Sequence, residues 1–258
     1  YNIIGCVEPQ KSGKTNGWHD AAFFNMCRPL ELVFANGMDK GVQVGIQTGD
    51  VTKMNTFDEF YDAYKKQMEY CISLMVNADN AIDVAHAERC PLPFLASMVD
   101  DCLTRGLTAE QGGAVYNFTG PQGFGVANMA DSLYSVKTLV YDEKKITMGE
   151  LKEALATNYG KGLGAEDVAA MTAKIANELK EAGKTIGEKE VAAILNTVVA
   201  ASEAPEVKAN GERILKLIEE VPKFGNDIPE VDAFARDVAY TYTEPLQNYK
   251  NPRGGSFQ

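Results

Sequence analysis

Near the start of the sequence a thiol and a carboxylate stand two residues apart, Cys6 and Glu8, in the stretch Asn2-Ile3-Ile4-Gly5-Cys6-Val7-Glu8-Pro9. In extended backbone, residues i and i+2 share a face, about 6–7 Å apart. Cys6 and Glu8 are therefore expected to face one spot, with Val7 turned away. The apolar run before them predicts a buried strand ending at Gly5. Pro9 is expected to stop ladder pairing and to fix the exit from the strand. Such a tip would present a nucleophilic or one-electron centre beside a proton acceptor. The same octapeptide also fits a small core cysteine and a solvated loop glutamate.

The elements that must position this pair follow in order. Asp20, in Trp18-His19-Asp20, predicts the N-cap of a helix through Phe23, Phe24, Leu30, Val33 and Phe34. Gly37 stops that helix, and Pro29 inside it predicts a kink or a break. Gly41 to Gly49 reads as a loop or short hairpin. Thr56-Phe57-Asp58-Glu59 is a capping box. The helix after it has apolar positions Phe57, Phe60, Tyr64, Met68, Cys71, Met75 and Ile82, a spacing that means core packing. Pro91 and Pro93 end it, and a shorter helix with Phe94, Leu95, Met98, Val99 and Leu103 stops near Gly106. Gly112 to Phe118 reads as a strand entering a glycine-rich loop, Gly120 to Gly125, before a helix from about Ala127. Asn128 stands where a dinucleotide fingerprint has its third glycine, so tight backbone packing accounts better for these glycines.

Thr147-Met148-Gly149-Glu150 is a second capping box, opening a helix to about Asn158. From Gly160 to Val221 the chain turns Ala-, Glu- and Lys-rich and loses its aromatic residues. Three amphipathic stripes run through it: Val168, Met171, Ile175 and Leu179; Val191, Ile194, Leu195 and Val198; Ile214, Leu217, Ile218 and Val221. This is expected to be a helical insertion that packs on its own domain or docks on a partner or a protein shell. A helix from Val231 to Tyr249 follows. The domain reading is 1–159, 160–221 as the insertion, and 222–258 as the continuation of the first part.

The formal charge of −11 argues against nucleic acid, whose phosphates would repel it. Five cysteines at 6, 27, 71, 90 and 102, with no C-x-x-C pair, suggest neither a disulfide framework nor zinc and point to a reducing cytosol. Two histidines, His19 and His86, are too few for a histidine-rich metal site, so no metal is expected. The Asn117-Phe118-Thr119 sequon is discounted, because nothing else indicates secretion. No apolar run approaches the roughly 20 residues that span a bilayer, and no signal peptide is evident. The start at Tyr1 in mid-strand suggests a piece of a longer polypeptide.

Several blocks together resemble the glycyl radical enzymes, in the branch of coenzyme-B12-independent glycerol and propane-1,2-diol dehydratases. They are Gly5-Cys6-Val7-Glu8-Pro9-Gln10, Gly17 to Asn25, His86 to Phe94, Tyr116 to Gly125, Ala130-Asp131-Ser132-Leu133, Lys223 to Asp227 and Asn251-Pro252-Arg253-Gly254-Gly255. The resemblance implies a fragment of that family's large α/β barrel, helix-rich, with an all-helical insertion. It implies Cys6 as the residue oxidised to a thiyl radical and Glu8 as the acid–base. Asp20 would accept a hydrogen bond from a substrate hydroxyl. The activity would be radical dehydration of a small vicinal diol to an aldehyde.

The alternative within the family is C–S cleavage of isethionate or another hydroxyalkyl sulfonate. Asp20 would repel such an anion, while Arg253 could attract it. No bound cofactor is implied. A protein glycyl radical, on a segment absent from this chain, would be installed by an S-adenosylmethionine/iron–sulfur activating enzyme. A homodimer is implied for the full-length protein, with no nucleic-acid or membrane partner. The cytoplasm is the implied location, with a bacterial microcompartment as the variant. Outside the family, two readings compete: a thiol hydrolase using Cys6 and His19, and a helical binding module centred on the insertion.

Overall fold

The computed structural model describes residues 1–4, 8–162, 199–200 and 204–258. Its strands are β1 (Asn2–Ile4), β2 (Glu8–Gln10), β3 (Trp18–Asn25), β4 (Met38–Asp39), β5 (Val42–Gln43) and β6 (Thr119–Phe124). Among the described residues the α-helices are α1 (Cys27–Phe34), α2 (Phe57–Arg89), α3 (Pro93–Ala96), α4 (Cys102–Arg105), α5 (Val126–Val136), α6 (Met148–Ala156), α7 (Pro205–Glu220) and α8 (Pro229–Leu246).

Strands β1 and β2 pair antiparallel, with Ile4 opposite Glu8 and Asn2 opposite Gln10. Pro9 does not end the ladder as expected: it lies opposite Ile3, within the pairing. A two-stranded ribbon has only edge strands, and there a proline can turn its missing donor outward. Residues 5–7, which include Cys6, lie outside the described residues.

Asp20 likewise departs from its expected place. Residues 18–25 form strand β3, so Asp20 caps no helix. Aromatic residues and the long-range partner β6, which runs parallel to it, decide in favour of strand. Helix α1 begins after it, with the Asn25 side chain accepting from the Cys27 amide at 2.9 Å. Pro29 falls in the first turn of α1, where no intrahelical donor is required, so no kink follows. Gly37 closes the helix at φ +79°, its amide donating to Leu32 O at 2.7 Å. The stretch after it holds the hairpin β4–β5, turned through Lys40 and Gly41, both at positive φ.

The capping box at α2 is present: Glu59 N donates to Thr56 Oγ1 at 3.2 Å and Thr56 N to the Glu59 carboxylate at 3.3 Å. The buried stripe of this helix runs Phe60, Tyr64, Met68, Ile72, Val76, then Asp79 and Asp83. Its second half thus buries two carboxylates, while Ile82, expected in the core, is 48% exposed. The short helix expected after Pro93 is two pieces, α3 and α4, and Phe94 and Leu103 are 79% and 75% exposed rather than packed. The glycine-rich "loop" 120–125 is largely strand β6 itself.

The chain divides into two compact units. One comprises Tyr1–Pro29, Met68–Met129 and Ala235–Gln258, and the other Leu30–Gln67 and Ala130–Phe234. In the second, an aromatic cluster forms: Phe57 stacks on Tyr61 at 5.7 Å and meets Tyr141 and Phe234 at 6.0 and 5.8 Å. The Tyr141 hydroxyl there is pushed up to about 12 by burial and by the Glu59 charge. Helix α6 opens with the expected capping box of Thr147 and Glu150, and Arg213 on α7 donates to Glu150 at 2.9 Å. Those bonds hold the Glu150 carboxyl below its ordinary range, the Thr147 amide contributing most. Gly211 of α7 lies against Tyr159 so closely that a Cβ would meet Tyr159 C at 2.3 Å. Of the three stripes in 160–221, the first two lie outside the described residues. In the third, Ile214 and Val221 are buried and Leu217 and Ile218 half-buried.

Candidate active site

The site lies in the first unit, on the parallel pair β3/β6. Trp18 pairs with Thr119 and His19 with Gly120, and the register then slips before Phe23 meets Gln122. Across the slip, three residues of β3 (20–22) oppose Pro121 alone. Proline offers β3 no donor at that point, and the strand bulges there. The bulge opens with Asp20 at φ +55°, a left-handed conformation that aspartate tolerates better than most residues. This re-aims the Asp20 side chain.

Its new partner is Gln122. The Gln122 side-chain amide donates to Asp20 Oδ1 and, at 3.0 Å, to Glu8 Oε1. One neutral NH2 group thus bridges two carboxylates brought from β2 and β3. Glu8 is buried at 9% exposure, Gln122 is half-buried, and Asp20 is exposed. A molecule reaching Asp20 from solvent would meet acceptor oxygens at one place.

The backbone beneath Gln122 is held from α8. The Tyr242 hydroxyl donates to Pro121 O at 3.1 Å, and a Cβ on Gly123 would meet the Tyr242 ring at 2.8 Å. Glycine is required there because the ring occupies the space a side chain would need. The Tyr242 hydroxyl is raised far above its ordinary value by burial and by the Asp79 carboxylate. Asp79 is itself pushed up to about 6, chiefly by burial and then by the Asp83 charge, and its Oδ2 has no hydrogen-bond partner among the described residues.

Arg253 closes the other end of β6. Its Nε donates to both oxygens of Asp83 at 2.9 Å, its Nη1 to Asn16 O at 2.5 Å, and its Nη2 to Phe118 O and Thr119 Oγ1 at 3.1 Å. The guanidinium also lies 5.1 Å from the Trp18 ring centroid. Burial lowers the Arg253 pKa, against the opposing pull of Asp83. Asn251 ties the same corner, donating to Asn117 O at 2.6 Å and Thr119 Oγ1 at 2.9 Å. Asn117 is buried and donates to Ala114 O at 2.8 Å, so the sequon nitrogen has a structural use.

Glu8 and Asp20 therefore come together, whereas Cys6 lies outside the described residues. His19 packs edge-on against Phe118 at 4.9 Å, with Nε2 buried and without a hydrogen-bond partner among the described residues. Gln122 was missed by sequence reasoning. The only signal for it was its place inside a matching block beside a proline and a glycine. No group of three or more His, Cys, Asp or Glu among the described residues is placed to hold a metal ion, and no described helix is long and apolar enough to cross a membrane.

These features define a helix-rich α/β chain that presents paired carboxylates from a hairpin and a parallel strand pair. By its match over residues 1–258, the chain belongs to the pyruvate formate lyase-like family. It is similar to a structure of 1,2-propanediol dehydration in Roseburia inulinivorans, with 59% identity and a TM-score of 0.94, over 100% of this chain and 31% of that one. It is also similar to the glycerol-bound B12-independent glycerol dehydratase of Clostridium butyricum, with 46% identity and a TM-score of 0.78, over 99% and 26%. Among curated proteins, the (2S)-3-sulfopropanediol dehydratase of Klebsiella oxytoca is 30% identical over 259 residues, 100% of this chain and 26% of the relative. The chain thus spans about a quarter of that relative's length. Its architecture is that of a segment of the glycyl radical enzyme α/β barrel.

Proposed function

We propose that the protein to which this chain belongs dehydrates a small vicinal diol, glycerol or propane-1,2-diol, to an aldehyde by a radical route. The observation that carries this reading is the pairing of Glu8 and Asp20 through Gln122. Two carboxylate acceptors side by side suit two neutral hydroxyls. The likeness over the whole chain to proteins of propane-1,2-diol and glycerol dehydration supports the same choice.

In this reading a glycyl radical carried elsewhere in the polypeptide, and installed by an S-adenosylmethionine-dependent activating enzyme, would take the S–H hydrogen atom of Cys6, becoming glycine and leaving the thiyl. The Cys6 thiyl takes a hydrogen atom from the hydroxyl-bearing C1 of the diol, forming S–H and a carbon radical. Glu8 accepts the C1 hydroxyl proton, and the resulting ketyl expels the C2 hydroxyl, which leaves as water with a proton returned from the acid. The Cys6 thiol then gives its hydrogen atom back to C2, which yields the aldehyde and restores the thiyl. A base in hydrogen-bond reach of the C1 hydroxyl matters because an oxyanion beside the radical makes the β-leaving group depart far more easily. Asp20 holds the second hydroxyl.

The sulfonate alternative needs a cation for its anion. Arg253 does not provide one at this site, because its donors are committed to Asp83, Asn16, Phe118 and Thr119. The test is to activate the full-length protein anaerobically and offer glycerol, propane-1,2-diol and isethionate. Turnover of either diol is expected; turnover of isethionate alone would overturn the reading.

A further inference from the structure

We propose that Gln122 is a positioning residue of this site: its side-chain amide sets the separation of the Glu8 and Asp20 carboxylates and keeps the facing oxygen of each a hydrogen-bond acceptor. This rests on the dehydratase reading.

Two like charges brought that close repel one another, and what lies between them decides how they are held. A proton lodged between them would occupy the oxygen that Glu8 needs in order to act as a base. An arginine between them would remove the repulsion but would also neutralise the base, as Arg253 neutralises Asp83. A primary amide does neither. It carries no charge, its two hydrogens diverge, and each can satisfy one carboxylate oxygen. Turned over, it would point its carbonyl at two anions, so the donor orientation is the one the surroundings enforce.

A free glutamine side chain has several rotatable bonds and would be a poor spacer. Here its backbone is fixed on both sides. Pro121 O is held by the Tyr242 hydroxyl, and Gly123 is seated against the Tyr242 ring. Phe23, opposite Gln122 in the register, packs at a tilt against Phe124, with ring centroids 5.4 Å apart. The β3 bulge supplies the reach from Asp20, and the β1–β2 hairpin supplies Glu8.

The test uses the full-length, anaerobically activated enzyme with Gln122→Met and Gln122→Glu. Both keep the length of the side chain; methionine removes the donors, and glutamate replaces them with a third anion. With thermal midpoint and radical content per chain equal to wild type, kcat for propane-1,2-diol is expected to fall about 10- to 100-fold in Gln122→Met and further in Gln122→Glu. KM is expected to change less than kcat. In crystals of the full-length Gln122→Met variant, the Glu8 and Asp20 carboxylates are expected to leave their wild-type separation. Wild-type kcat with unmoved carboxylates in Gln122→Met would overturn the proposal and assign Gln122 a space-filling role. Should the wild type turn over no diol while the carboxylates still move in the variant, the spacer role stands and the dehydratase reading falls.

Discussion

Two carboxylate sites in the same unit are held in opposite ways. Asp83 is 2% exposed and meets Arg253, so its charge is cancelled, and each of the three Arg253 nitrogens donates to an acceptor. Glu8 and Asp20 meet a neutral amide in place of a cation, and Asp20 is open to solvent. The first arrangement locks the start of β6 to α2 and the C-terminal loop. In the proposed reading, the second leaves Glu8 as the base. The proposal thus assigns the cation-paired Asp83 a structural part and the amide-bridged Glu8 a chemical one.

The sharpest way to break this contrast is at the reactive site. Cys6→Ser is expected to abolish diol turnover, and Glu8→Gln to lower kcat by about 10²- to 10⁴-fold, each with an unchanged thermal midpoint. The structural site should respond in the reverse sense. Arg253→Met leaves Asp83 buried without its cation and is expected to cost about 3–5 kcal/mol of stability in denaturant titration. Any loss of turnover there should track the loss of folded protein.

Asp79 gives a pH test. Its ordinary value is 3.8, and in the fold it is pushed up to about 6. Below the lower value both folded and unfolded chains hold the proton. Between the two, the unfolded chain releases it while the folded chain keeps it, so stability falls as pH rises through this window. Asp79→Asn removes that fall. The variant is expected to gain on the order of 2 kcal/mol over wild type by pH 7 and nothing at pH 3.5, read from unfolding curves at the two pH values. The smallest effect is expected for Tyr242→Phe, which frees Pro121 O at about 1 kcal/mol of stability, together with a few-fold loss of kcat as Gln122 loosens.

What could be read in the sequence was local. The capping boxes at Thr56/Glu59 and Thr147/Glu150 depend on residues three apart, and both form. The long helix after Thr56 was legible from its apolar spacing. Its second half buries carboxylates against the usual pattern, and Asp83 is paired by Arg253, 170 residues away in sequence. Strand β3 was read as helix for a related reason: Phe23, Phe24 and Leu30 suit helical spacing, and only pairing with β6 reveals the strand. Glu8 is a candidate from its spacing to Cys6, and Asp20 from the family resemblance. Gln122 is not, because its partners stand 114 and 102 residues away and a lone glutamine carries no motif.

The measurement that reaches the centre of this account is a crystal structure of the full-length enzyme with propane-1,2-diol bound. One hydroxyl should lie within hydrogen-bond distance of Glu8 and the other of Asp20, with Gln122 still donating to both carboxylates and Cys6 Sγ facing C1. A diol bound elsewhere, or contacting neither carboxylate, would contradict it.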